Sequence, residues 1–102
     1  GKCSVTGIDY SGILIASHIK PWNKSTNDEK FNLYNGLLLV STLDSLFDRG
    51  LITFDDEGLI ILSEELDIDD YKKLGINKDL KLSKIEEKHK GFLKYHRENI
   101  FK

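Results

Sequence analysis

The sequence has no methionine, and only one cysteine, one proline and one tryptophan among its 102 residues. A lone thiol cannot close an internal disulfide and falls short of even a minimal cysteine-pair zinc site, so Cys3 is expected to be a small buried hydrophobe and structural zinc is not expected. No apolar run approaches the roughly eighteen residues of a membrane helix, and no basic-then-apolar leader opens the chain. A soluble, cytoplasmic protein with no membrane partner is therefore expected. An excess of either charge is also missing: 15 basic residues stand against 17 acidic ones, a net charge of −2. That is a weak electrostatic footprint for holding nucleic acid unaided. The absent methionine and the Gly-Lys-Cys opening read as a piece of a longer protein whose start codon lies elsewhere. At 39% hydrophobic content the chain can bury one modest core and no more. Residues 1–102 are thus expected to be a single domain, the C-terminal fragment of a longer chain.

The apolar runs give an order of elements. Gly12 to Ala16 is a short β-type run that ends where Ser17 and His18 begin. From Ile19 to Tyr34 no periodicity is sustained, which reads as a long loop; Trp22 and Phe31 are expected to pin it to the body by burial. Leu37 to Val40 follows an Asn-Gly turn signal and reads as a strand. Ser41-x-x-Asp44 has the form of a helix start, with Leu43, Leu46 and Phe47 on one face and Gly50 as the stop. Leu51 to Phe54 and Leu59 to Leu62 flank a polar, glycine-containing loop and read as a β-hairpin. Short helical turns follow to Leu74, and Ser83 to Phe101 is helical by pattern, with Ser83-x-x-Glu86 as its cap and Gly91 as a possible division. His89 and His96 lie seven apart on that helix and are read as structural or solvated side chains.

The chemistry-bearing residues lie between His18 and Gly50. An imidazole at a strand end can take a proton from water near neutral pH, and carboxylates at 44 and 48, one helical turn apart, can present oxygens to one hard cation. Each has a bland alternative: Asp44 as the acidic partner in a helix cap with Ser41, Asp48 as an ion-pair partner of Arg49, and Asn35 as half of an ordinary tight turn.

The residues Ser-His-Ile-Lys-Pro-Trp at 17–22, Asn-Gly-Leu-Leu-Leu at 35–39 and Leu-Asp-Ser-Leu-Phe-Asp-Arg-Gly-Leu-Ile-Thr-Phe at 43–54 resemble the branch of the HNH endonuclease family often fused to restriction-type DNA-binding domains. The Phe-Leu-Lys-Tyr-His-Arg-Glu-Asn-Ile-Phe ending is similar to that branch as well. The resemblance implies an α+β fold: a ββα-metal (HNH) core with an added β-hairpin and C-terminal helices. It implies a metal-dependent DNA endonuclease domain, part of a restriction-type enzyme, in which His18 is the general base, Asn35 fixes the loop bearing it, and Asp44 and Asp48 hold the cation. Lys20 and Arg49 are candidate phosphate contacts. Oxygen-only ligands favour Mg2+ or Mn2+ over Zn2+. The implied partners are DNA, an upstream DNA-recognition domain of the same chain, and a second copy where both strands are cut. Many family members carry an acidic residue or histidine just before the base, where this chain has Ser17. That departure keeps open the alternative of a catalytically degenerate HNH-fold module that binds DNA or protein.

Overall fold

The computed structural model describes residues 1–102 and shows an α+β arrangement of small antiparallel sheets and four α-helices. No helix is long and apolar enough to cross a membrane. Strand β1, Leu14–His18, pairs antiparallel with β2, Gly36–Val40; Leu14 lies opposite Val40 at one end of the ladder and His18 opposite Gly36 at the other. The connection between them is not structureless. It holds a single 3-10 turn at Trp22–Lys24 and a one-turn helix α1, Asn27–Lys30. A reciprocal cap fixes α1: the Thr26 hydroxyl accepts from the Glu29 N–H at 3.2 Å, and the Glu29 carboxylate accepts from the Thr26 N–H at 2.9 Å.

Strand β2 runs straight into helix α2, Ser41–Asp48, so that Val40 occupies the N-cap and no side chain caps the helix. This corrects the expected Ser41–Asp44 cap: Ser41 is already the first helical residue, and the Asp44 carboxylate is left without a capping role. Leu43, Leu46 and Phe47 form the buried stripe of α2, which packs on β1 and β2 and reaches the next strand, β3 (Ile52–Phe54). Burying a side chain the size of Phe47 contributes roughly 1.5 to 3 kcal/mol. The helix stops in a Schellman arrangement. Gly50, at φ +72°, donates to the Phe47 carbonyl at 3.1 Å, and Leu51 donates to Leu46 at 2.9 Å. A side chain at position 50 would run into the Ile100 carbonyl, so the close approach of the chain's end requires glycine as much as the backbone angle does.

Strand β3 pairs antiparallel with β4, Ile60–Leu62, and all three residues of β3 are buried. Helix α3, Ile68–Lys73, is capped by the Asp67 carboxylate, and its Tyr71 hydroxyl lies 2.7 Å from the Leu51 carbonyl and 2.9 Å from that of Ser63. Helix α4, Glu87–Asn99, runs through Gly91 without a break and begins three residues later than a cap at Ser83 predicts. Ser83 is instead engaged through its N–H with the Ser4 carbonyl at 2.7 Å, and the first turn is closed by His89, whose Nδ1 accepts from the Glu86 N–H at 3.0 Å.

A buried histidine ties α4 to α2. His96 is 1% exposed, stacks on the Phe47 ring at 3.8 Å, and donates from Nε2 to the Phe47 carbonyl at 2.8 Å. A carbonyl can only accept, so the hydrogen is on Nε2, and Nδ1 accepts from the Thr53 hydroxyl at 2.8 Å. Burial, aided by the Arg97 charge and opposed by the bond to Phe47, pushes the imidazole down to about 4.

Candidate active site

His18 sits at the open end of β1, where the ladder stops and the connection to β2 begins. Its Nε2 lies 3.1 Å from the Lys30 carbonyl at the end of α1. Because that oxygen can only accept, Nε2 carries the hydrogen and the lone pair of the neutral ring is on Nδ1. The ring also meets Trp22 edge-on at 5.4 Å between centroids. Orientation of the imidazole therefore depends on where the connection places Lys30.

Asn35 controls that placement. Only 1% exposed, it accepts at Oδ1 from the Lys20 N–H at 2.8 Å, while Nδ2 donates to the Glu29 carbonyl at 3.1 Å and the Ser25 hydroxyl at 3.3 Å. One side chain thus grips the connection just after His18 and again beside Lys30. A second brace crosses the same loop. The Lys20 ammonium meets both Glu29 oxygens, at 2.9 and 3.0 Å, and lies over the Tyr95 ring at 4.7 Å. Bonds from the Thr26 N–H and from Lys20 hold the Glu29 carboxyl below the usual carboxylate range.

Helix α2 brings the carboxylates. It starts at the Leu14 end of the ladder and, at about 1.5 Å per residue, spans most of the length of a five-residue strand by Asp48. Asp44 and Asp48 line one cleft of about 470 Å³ together with Ser17, His18, Trp22 and Asn23. Neither aspartate forms an ion pair. Arg49 does not partner Asp48, and its Nε instead donates to the Ser45 hydroxyl at 3.3 Å.

The structure thus brings His18, Asp44 and Asp48 to one cleft and sets Asn35 beneath the loop that orients His18. It does not bring Lys20 there. Lys20 lines a separate hollow against α4 with its charge engaged by Glu29. Arg49 lies at an adjoining surface groove that also reaches Asp48. Trp22 and Phe31 do not pin the loop by burial, being 50% and 79% exposed. Polar bonds from Asn35, Thr26 and Glu29 hold it instead. Glu29 lies outside the expected site residues, although Thr26-x-x-Glu29 carries the same helix-start signature as Ser41-x-x-Asp44. No three His, Cys, Asp or Glu side chains gather as a ready cation cage.

The family model described as HNH endonuclease matches residues 3–55, more than half of the chain. The chain belongs to the HNH endonuclease family. The match spans β1, the braced connection, β2, α2 and β3, and so contains every residue of the His18 cleft. No curated protein matches the chain. Membership in the HNH endonuclease family implies nuclease activity on DNA, and HNH nucleases generally use divalent metal ions.

Proposed function

We propose that this HNH chain is a metal-dependent endonuclease domain that hydrolyses DNA phosphodiester bonds, with its site in the cleft shared by His18, Asp44 and Asp48. The observation that carries this is the pairing, in one cleft, of an imidazole whose Nδ1 lone pair is free with two carboxylates that have no cationic side-chain partner. The antiparallel β1–β2 pair with α2 against it is the ββα-metal core in this reading, and β3–β4 is the added hairpin.

His18 Nδ1 takes a proton from a water as that water attacks phosphorus, while the Lys30 carbonyl holds the Nε2–H and steadies the imidazolium that forms. The bond from phosphorus to the 3′ oxygen breaks and that oxygen takes a proton from solvent water, leaving 5′-phosphate and 3′-hydroxyl ends. Asn35 acts through the loop as a positioning residue. Asp44 and Asp48 would hold the divalent cation, which supplies neutralisation of the charge developing on the phosphate. The donor set fits: two unpaired carboxylates leave most of an octahedral shell to water and phosphate oxygens, as Mg2+ is commonly held, and Mn2+ serves similarly. In this proposal Arg49 is the nearer phosphate contact, and Lys20 is a structural cation paired with Glu29.

A net charge of −2 supports delivery by another domain, the arrangement of restriction-type enzymes. One site cuts one strand, so a double-strand break needs a second copy or a second encounter. A neutral Ser17, whose buried hydroxyl finds no partner, favours the rival reading of a binding-only HNH-fold module. Nicking of supercoiled plasmid at low salt, with Mg2+ or Mn2+, separates the two. We expect nicking that EDTA abolishes and that His18→Ala reduces by about 10²- to 10⁴-fold, with Asp48→Ala impaired but no less stable, since its carboxylate faces the negative end of the α2 dipole. Nicking by His18→Ala at the wild-type rate would remove the base assignment; no nicking by the wild type would favour the binding module.

A further inference from the structure

We propose that Trp22 and Phe31 form a stacking site for an unpaired nucleobase beside the His18 cleft, so that the substrate is DNA with locally single-stranded nucleotides. This rests on the DNA-cleaving reading above and names the form of DNA that the cleft accepts.

The two rings meet edge to face at 5.9 Å between centroids, and both are substantially open to water, Phe31 at 79%. Isolated exposed aromatics need no explanation. Here, however, two touch each other on a loop that does not need them. That loop is held by the Asn35 bonds, the Thr26–Glu29 cap and the Lys20–Glu29 ion pair, so the rings are presented by a rigid support and contribute little to it. Position gives them a use. Trp22 itself lines the His18 cleft and contacts the His18 ring, which places the pair next to any phosphate that enters. A cation accompanies them: the Lys30 ammonium sits 4.8 Å from the centre of the Trp22 ring, close enough to neutralise a backbone phosphate flanking a stacked base.

Aromatic rings combined with cationic side chains are how proteins hold single strands, because every base has a π face, and here Lys30 is the cation beside the pair. Paired bases in duplex DNA are already stacked on their neighbours and offer only their edges in the grooves. Phe31, the more open ring, is therefore the surface for the base, and Trp22 is the wall between it and the cleft.

Trp22 is the only tryptophan, so its emission reports on this site alone. The protein, in EDTA and at low salt so that nothing is cut, is titrated with an oligothymidylate of about ten nucleotides and with a duplex of equal length. The expected results are quenching of Trp22 by the single strand, weaker quenching by the duplex, and single-strand affinity about 5- to 150-fold lower in Phe31→Ala, the loss that stacking of one base represents. Phe31→Tyr should retain wild-type affinity, and the circular dichroism and melting temperature of Phe31→Ala should match the parent because the ring is exposed. Single-strand binding by Phe31→Ala equal to the parent, or no change in Trp22 emission at saturation, overturns the proposal and assigns the pair to a protein contact. Plasmid nicking is scored separately. Absent nicking with intact quenching removes the endonuclease reading and leaves the stacking site standing, whereas nicking with unchanged Phe31→Ala binding removes only the stacking site.

Discussion

Replacing Asn35 by alanine tests whether one buried amide couples the fold to the candidate base. The substitution deletes the acceptor of the Lys20 N–H, which has no other partner, and the donor to the Glu29 carbonyl, which keeps the Asn32 N–H at 3.2 Å. The two consequences differ in size. An orphaned buried donor costs about 1 to 3 kcal/mol, while loss of a bond whose acceptor is still served costs about 0.5 to 1.5 kcal/mol. Together they come to roughly 1.5 to 4.5 kcal/mol, a large share of the stability of a small domain. With a urea slope of about 1 to 3 kcal/mol per molar, the midpoint should fall by at least about 0.5 M. Activity should fall further than the unfolded fraction explains. The Lys30 carbonyl that receives the His18 Nε2–H lies on the segment that Asn35 grips at Glu29, so a loosened loop frees the imidazole. Urea denaturation followed by circular dichroism, beside plasmid nicking under conditions where the variant is more than nine-tenths folded, measures both effects. A variant that unfolds at the wild-type midpoint would refute the hydrogen-bond reasoning; one that is destabilised yet nicks normally would refute the positioning role.

The buried His96 makes stability depend on pH. Its folded value near 4 lies below the ordinary 6.5, so its contribution is fully present above about 6.5 and is lost as pH falls from there to about 4, where the unfolded chain takes up a proton that the fold refuses. The loss should reach about 3 kcal/mol. His96→Gln should flatten the wild-type slope of unfolding free energy across that window, and an unchanged slope would show the histidine to be solvated. Gly50→Ala should cost more than about 2 kcal/mol, since a left-handed backbone alone costs about 1 to 2 kcal/mol and the new methyl also displaces Ile100 and the Lys102–Gly50 bond. Gly75→Ala is the control, with φ +78° and open space around it; thermal melts in which both variants lose equally would refute the close approach of the C-terminal segment.

What the sequence determined by itself was local. The strand before His18, expected over Gly12 to Ala16 and found over Leu14–His18, the strand expected from Leu37 and found from Gly36, the helix with Leu43, Leu46 and Phe47 inward, and the stop at Gly50 all follow from side-chain pattern and glycine chemistry over a few residues, while resemblance alone offered the residues at 18, 35, 44 and 48 as candidates. Even there, signals of equal form were not equal in outcome. Thr26-x-x-Glu29 caps a helix, whereas Ser41-x-x-Asp44 does not, because β2 runs unbroken into α2 and leaves Val40 at the cap. Contacts between distant segments belonged to the tertiary structure. Lys20 was engaged by Glu29 and Tyr95 rather than left free for phosphate, Asp48 had no ion pair with Arg49, His96 was buried between Phe47 and Thr53, and two aromatics expected inside remained in water. Composition cannot decide such matters, since whether a charge is paired or a ring buried depends on which surface the folded chain lays against it. Here the polar grip of Asn35 on the connection settled it: with the loop held by hydrogen bonds, Trp22 and Phe31 were left open to water, Trp22 at the edge of the cleft.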